Sequence, residues 1–393
     1  MSERNHLEDA AAIVGIGATE FSKASGRSEM RLCVEACEAA IADAGLEPSQ
    51  IDGMVTFTAD TNPEIEIARN VGIGELSFFS RIHHGGGAAC GTIQQAVLAV
   101  HAGVADYVVC YRGFNERSGR RFGAGVQDRA PMATAESSHF SWYAPFGLLT
   151  PAQWVAMFAQ RYCFDFGATS EDFGRIAVAD RKHAAANPKA WFFEQPITLE
   201  EHQESRWIVE PLHLLDCCQE SDGAQALVVT TPERARDLAQ PTVLVNAAAQ
   251  GAGENQDMMT SYYRETISRL PEMGLVARQL WNTTGLGPDD IQAAIIYDHF
   301  TPLVLQALED WDFCGEGESG PFVEDGGIRW PDGRLPVNTH GGQLSEAFIH
   351  GFNNLLEAVR QIRGTSTSQV DGARLVFVAS AASDPGGALL LAH

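Results

Sequence analysis

Two hydrophobic rhythms alternate along this chain. Short continuous apolar runs, such as "AAIVGIGATEF" (11–21) and "GMVTFTA" (53–59), have the length and β-branched content of buried strands. Between them, "LCVEACEAAIADA" (32–44) carries apolar residues at helical spacing and ends at Gly45, the residue type that caps a helix C-terminus. A glycine-rich turn, a helix and another buried strand follow in "GGGAACGTIQQAVLAVHAGVADYVVCY" (85–111), and "CCQESDGAQALVVTT" (217–231) adds a strand that closes this part of the chain.

The same order then returns. "PTVLVNAAAQG" (241–251) echoes the opening strand. "LVARQLWNTT" (275–284) is the second helix, and "GLGPDDIQAAI" (285–295) matches "GLEPSQIDGMV" (45–55) as G-L-x-P-x-x-I. "GGQLSEAFIHGFNNLLEAVRQIRG" (341–364) followed by "ARLVFVAS" (373–380) repeats the Gly-Gly turn, helix and strand. Three matches in one order predict two similar α/β halves, 1–240 and 241–393. Each alternates strand and helix as βαβαβ, in mixed, mostly parallel sheets with helical cover. Residues 114–210 break the alternation and are rich in Trp, Phe and Tyr ("FSWYAPFGLL", "QWVAMFAQRYCFDFG", "KAWFFEQP"). They read as an inserted loop region, either a cover for a cleft with aromatic walls or a packing or dimer-interface segment.

Composition narrows the function. In 393 residues the net charge is −24, which disfavours nucleic acid as a partner. Such acidity can also reflect a salty habitat. No run is long and apolar enough for a membrane span, and "MSERNHLEDAA" lacks the apolar core of a signal peptide, so a cytoplasmic location is expected. Eight cysteines without a CxxC pair predict reduced, buried thiols and no structural metal site.

These features resemble the thiolase superfamily over nearly the whole chain. The marks are "DAGLEPSQIDGMV", the glycine-rich start of the helix at 85–102, "AGVADYVVCYRG", "SDGAQALVV" and "VNTHGGQLSEAFIHG". "YRGFNERSGRRFG" (111–123) and "YDHFTPLVLQALEDWDFCGEG" (297–317) are similar to the sterol-carrier branch, in particular the lipid-transfer-type aldolases of bacterial steroid side-chain degradation. The thiolase catalytic residues are missing. Counted back from Gly103, the nucleophile's position falls on Gly86 or Gly87, and Cys90 lies about one helical turn too late, as a packing residue. The second cysteine is absent from "SAASDPGGALLL", and the position of the active-site histidine holds Phe348.

The resemblance therefore implies retro-aldol cleavage of a steroid-like β-hydroxyacyl-CoA to a ketone and a shorter acyl-CoA. That reaction needs a base for the hydroxyl proton and donors for the enolate, with no cofactor beyond the CoA of the substrate. Tyr297 aligns with the thiolase oxyanion-site asparagine and is expected to be that base or donor, its phenol lying in the cleft beside the "NTHGG" turn. His340 on that turn is the next candidate and His299, two residues beyond Tyr297, a weaker one. His350 is expected to pack. Asn338, Gly341 and Gly342 of the turn and Phe348 are candidate substrate contacts. Phe348 stands where related aldolases have a second tyrosine, which leaves His340 or a water to carry that proton. Arg117, Arg120 and Arg121 would meet the CoA phosphates or pair with nearby acids. The expected assembly is a homodimer with a separate zinc-ribbon and OB-fold partner, itself fused in some relatives to a hydratase. The competing readings are a non-catalytic lipid-binding or scaffold subunit and a thiolase-like acyltransferase using Cys90.

Overall fold

The repeated motif folds the same way twice. Helix Glu29–Ala44 ends at Gly45 (φ 73°) and helix Pro271–Thr284 at Gly285 (φ 70°). In each half a Pro-initiated 3₁₀ turn follows, Pro48–Gln50 or Pro288–Asp290, and then a strand. The left-handed glycines end the helices and the prolines fix φ for the turn. The computed structural model describes residues 7–83, 86–119, 121, 140–256, 261–380 and 386–393.

Among the described residues nine strands form one sheet. In chain order they are β1 (Ala11–Ala18), β2 (Gly53–Phe57), β3 (Phe78–Ile82), β4 (Val108–Asn115), then β7 (Asp222–Thr230), β8 (Val243–Gly251), β9 (Ala293–Ile296), β10 (Leu375–Ser380) and β11 (Gly386–Ala392). A separate short hairpin holds β5 (Trp207–Val209) and β6 (Leu212–His213). The sheet order is β3-β2-β4-β7-β1-β8-β11-β10-β9. Read outward from the β1–β8 seam, β7, β4, β2 of one half correspond to β11, β10, β9 of the other. The sheet is mixed: its ends pair in parallel (β3–β2–β4 and β10–β9), whereas the pairs between them run antiparallel. Helical crossovers supply the parallel pairs, and β7 and β11 return beside them in the opposite sense.

Three apolar layers fix the site. Helices Ala89–His101 and Phe352–Arg363 lie in the middle, packed on Ile13, Val55 and Val108 of the first half and on Val245, Ile295 and Val378 of the second. Helix Glu29–Ala44 covers the outer face of the first half. On the second half, Pro271–Thr284 and Thr301–Asp310 are joined by two helices of the inserted region, Pro151–Phe166 and Ser170–Ala186. Phe158, Tyr162 and Phe173 of the insertion are therefore core packing of the second half, whereas Phe140, Tyr143 and Trp154 form a small cluster of their own. Residues 122–139 of that region lie outside the described residues.

Candidate active site

Strand β9 is buried at every position, and the chain beyond it delivers Tyr297, 3% exposed, toward the start of the central helix Ala89–His101. The fit there is close. A Cβ on Gly86 would lie 2.2 Å from the Tyr297 hydroxyl, and one on Gly351 would lie 3.1 Å from its ring. Gly86 begins the 3₁₀ turn Gly86–Ala88 that leads into the helix. The phenol thus fills the side-chain volume at a position the family resemblance gives to a nucleophile. Negative charge developing at a helix N-terminus is stabilised by the unpaired N–H groups there, typically by ~0.3–1 kcal/mol.

Rings line this point. His299 lies 4.7 Å from Tyr297 between ring centroids, and Phe348 meets it edge-on at 6.4 Å. Burial pushes the His299 imidazole down to about 3, so it is neutral at working pH, and its Nδ1 has no hydrogen-bond partner among the described residues. Beyond Phe348, the His350 ring stacks on Phe114 at 4.9 Å. Arg112 donates to its Nδ1 from Nε (3.2 Å) and Nη2 (3.0 Å), and is itself paired with Asp60 at 3.0 Å. His350 is packed, as expected, and held as a neutral acceptor at Nδ1.

The "NTHGG" turn does something other than expected. The residue that reaches it is Asp298, not Tyr297, because successive residues of an extended chain face opposite sides. Both Asp298 oxygens accept backbone N–H groups, from Gln343 at 2.8 Å and Leu344 at 3.0 Å. Asn338 is wholly buried, and its Oδ1 accepts the Ile296 N–H at 2.8 Å, so it binds the chain rather than a substrate. Gly341 makes room for Ala184, whose Cα would lie 2.8 Å from an added Cβ, and Gly342 makes room for the Asp298 carboxylate at 2.0 Å. Both glycines are therefore required by packing. His340 is corrected in the same way. It is fully buried, with Nε2 3.3 Å from Asn353 Nδ2 and 3.8 Å from Glu346, and burial holds its pKa well below the usual imidazole range. A histidine enclosed by these side chains and held neutral is part of the packed interior, not a group on an open turn.

Cys90 is likewise enclosed. Its N–H donates to Ser380 Oγ at 3.2 Å, it is fully buried, and burial pushes its thiol up to about 12, far from a reactive thiolate. Arg121 closes on Glu220 at 2.7 Å and Arg117 lies 4.0 Å from the same carboxylate, so both are in intrachain pairs; Arg120 lies outside the described residues.

Several neighbours escaped the sequence reading. Phe348 donates its N–H to Ser221 Oγ at 3.2 Å. The backbone of Ser221 bonds Glu116, a buried carboxyl pushed well above its usual range by burial and next by Glu220. Asp180 on helix Ser170–Ala186 is fully buried against Asp298. Its signal was legible: it falls in the apolar stripe Phe173, Ile176, Ala177, Ala184, where a carboxylate is out of place. Among the described residues no three His, Cys, Asp or Glu side chains gather into a metal site.

The arrangement offers a phenol at a helix tip, a neutral imidazole beside it and no thiolate. Comparison with known proteins places the fold. The thiolase N-terminal domain model matches residues 11–233, and the thiolase C-terminal domain-like model matches 253–387. The chain is 64% identical to a steroid side-chain-cleaving aldolase of Thermomonospora curvata, covering 98% of each. It is 59% identical to a 17-hydroxy-3-oxo-4-pregnene-20-carboxyl-CoA lyase of Mycobacterium tuberculosis, covering 98% of this chain and all (100%) of that one. A solved structure titled "Ltp2-ChsH2(DUF35) aldolase" superposes with a TM-score of 0.94 at 63% identity, covering 98% of both chains. With both halves matched in order along nearly its full length, the chain belongs to the thiolase family.

Proposed function

We propose that this chain is an aldolase that removes a steroid side chain by retro-aldol cleavage of a β-hydroxyacyl-CoA. The carrying observation is the phenol of Tyr297 in the space beside Gly86, in a thiolase fold with no accessible thiolate. A tertiary hydroxyl β to a thioester loses its proton to Tyr297 acting as a phenolate, which becomes the phenol. The Cα–Cβ bond breaks, its electron pair passes to the thioester as an enolate, and the β-carbon leaves as a ketone. The proton then returns to Cα and gives a shorter acyl-CoA, propionyl-CoA or acetyl-CoA. No redox partner or cofactor is needed, because the leaving carbanion is stabilised by the substrate's own thioester. The name of the mycobacterial relative describes this pattern, a hydroxyl on carbon 17 and a CoA thioester carried on carbon 20.

His299, neutral and adjacent to the phenol, is the group we place next to the substrate, with Phe348 as an apolar wall. The solved relative's title pairs an aldolase with a DUF35 protein. We assign this chain a separate zinc-ribbon and OB-fold partner of that kind, in some settings fused to a hydratase, around a cytoplasmic homodimer. The test is to incubate the chain, alone and with such a partner, with a steroid β-hydroxyacyl-CoA. Equal amounts of ketone and short acyl-CoA are expected. An acyl thioester on any cysteine, or CoA release without ketone, would overturn the reading.

A further inference from the structure

Behind Tyr297 lies a second, wholly buried pair of acidic groups. Asp298 follows Tyr297 in the chain and points the other way, with both oxygens bonded to the start of the turn at 343–344. Asp180, carried by helix Ser170–Ala186, lies against it, with its carboxyl facing Asp298 and the Asn338 side chain. Neither Asp180 oxygen has a hydrogen-bond donor among the described residues, and Asn338 Nδ2 is likewise without an acceptor there. Both aspartates are 0% exposed. Three separate segments thus meet here: the end of β9, the glycine turn and a helix of the inserted region.

Two carboxylates in contact and out of water cannot both be charged; they settle on one proton and one charge. The backbone decides which keeps the charge. Asp298 accepts two N–H groups, which stabilise its anion, while Asp180 has no backbone donor. Burial raises Asp298 to about 6 and, together with the Asp298 charge, raises Asp180 well above the carboxylate range. The surroundings do not offset this. Arg181 is turned to Ser345 Oγ at 3.0 Å. His183 is held neutral by burial at about 4, between the Asn338 carbonyl and the Trp330 N–H. Cys218, the other titratable group that feels Asp298, is an un-ionised thiol pushed up by burial.

We propose that Asp180 and Asp298 hold one proton between them and act as the positioning residues that set Tyr297 against the helix tip. Asp180 donates to Asp298, and Asp298 ties the chain at residue 298 to the turn. Asn338 ties residue 296 to the same turn, so Tyr297 is clamped from both sides. Loss of the shared proton at alkaline pH drives the carboxylates apart and releases the clamp. This rests on Tyr297 serving the cleavage, as proposed above.

The test compares Asp180→Asn and Asp180→Leu with the wild type in the full chain and its complex. Difference infrared spectroscopy should show the C=O stretch of a protonated, buried carboxylic acid that Asp180→Asn removes. The amide still donates to Asp298, so kcat at neutral pH should stay within about threefold of wild type while its alkaline fall moves to higher pH. Asp180→Leu leaves the Asp298 anion without its donor and should lower kcat by roughly 30-fold with little change in KM. No lost infrared band, an unchanged alkaline limb in Asp180→Asn, or wild-type kcat in Asp180→Leu would each overturn the proposal. The infrared band needs no turnover and no Leu variant, so it decides the shared proton even if Asp180→Leu fails to fold. A band in a protein that cleaves nothing would sink the aldolase reading and leave the pair standing.

Discussion

The two glycine-rich turns of this molecule look alike in sequence and do opposite work. At Gly86 the missing Cβ leaves room for the Tyr297 hydroxyl, and at Gly342 it leaves room for the Asp298 carboxylate. The two intruding side chains are neighbours on one extended segment, so a single strand end is wedged between both turns. One wedge ends at the tip of a central helix, beside rings that include a half-buried histidine. The other ends in a sealed polar core. A glycine in such a turn is therefore a measure of what must pass close by, and not evidence that the turn binds a ligand.

Gly86→Ala should break this comparison most severely. Gly86 does not have the positive φ that burdens Gly342, so the backbone tolerates alanine, but the new Cβ would collide with the phenol. We expect cleavage slowed by about 10³-fold with circular dichroism unchanged. A wild-type rate would show that the phenol's position is irrelevant. Gly342→Ala should instead cost stability. Its φ of 64° and the carboxylate 2.0 Å from a new Cβ predict a loss of about 2–4 kcal/mol, read as the urea midpoint at fixed protein concentration.

Tyr297→Phe keeps the wedge and removes only its polar end, so cleavage should slow at least ~100-fold without loss of stability. A β-hydroxyacyl-CoA cleaved at the wild-type rate would return the scaffold reading. A pH series sharpens the other turn. Burial raises both Asp180 and Asp298 in the folded chain above the ~3.9 of an unfolded aspartate, so the native state binds protons more tightly. Their contribution is most favourable below about pH 4 and is lost as pH rises through about 6 and beyond. The melting temperature of Asp180→Asn should therefore gain on wild type steadily from acid to alkaline pH, and a constant difference would argue against the shared proton. The smallest effect belongs to Cys90→Ala: a stability loss near 1 kcal/mol, unchanged cleavage, and no acyl adduct by mass spectrometry in either protein.

Much of this was legible in the sequence because it is local or periodic. The repeated G-L-x-P-x-x-I stretch specifies a capped helix, a turn and a strand twice over, whatever surrounds it. Cys90 was placed as packing by counting back from Gly103 with the spacing the thiolase resemblance implies, and Tyr297 was singled out by its place at the end of an apolar strand together with its alignment to the oxyanion-site asparagine of that family. His340 was misread because local pattern does not record burial: "NTHGG" would read the same whether its N–H groups faced a ligand or a buried carboxylate. Asp180 was missed for the converse reason. It lies in a segment with no match between the halves, and its partner is more than a hundred residues away. Its place on an apolar stripe was the available clue.

The seam between β1 and β8 has a consequence for how the molecule comes into being. β1 is made first, yet Ala12 pairs with Thr230 on one side and Leu244 on the other. At ~5–20 residues per second of synthesis, the strand waits roughly 10–40 s for its partners to leave the ribosome. Its apolar run, Ala11–Val14, must stay unaggregated throughout. The first of these strands to be made is thus among the last to be placed, and Gly86 and Tyr297, one from each half, meet only when synthesis is well advanced.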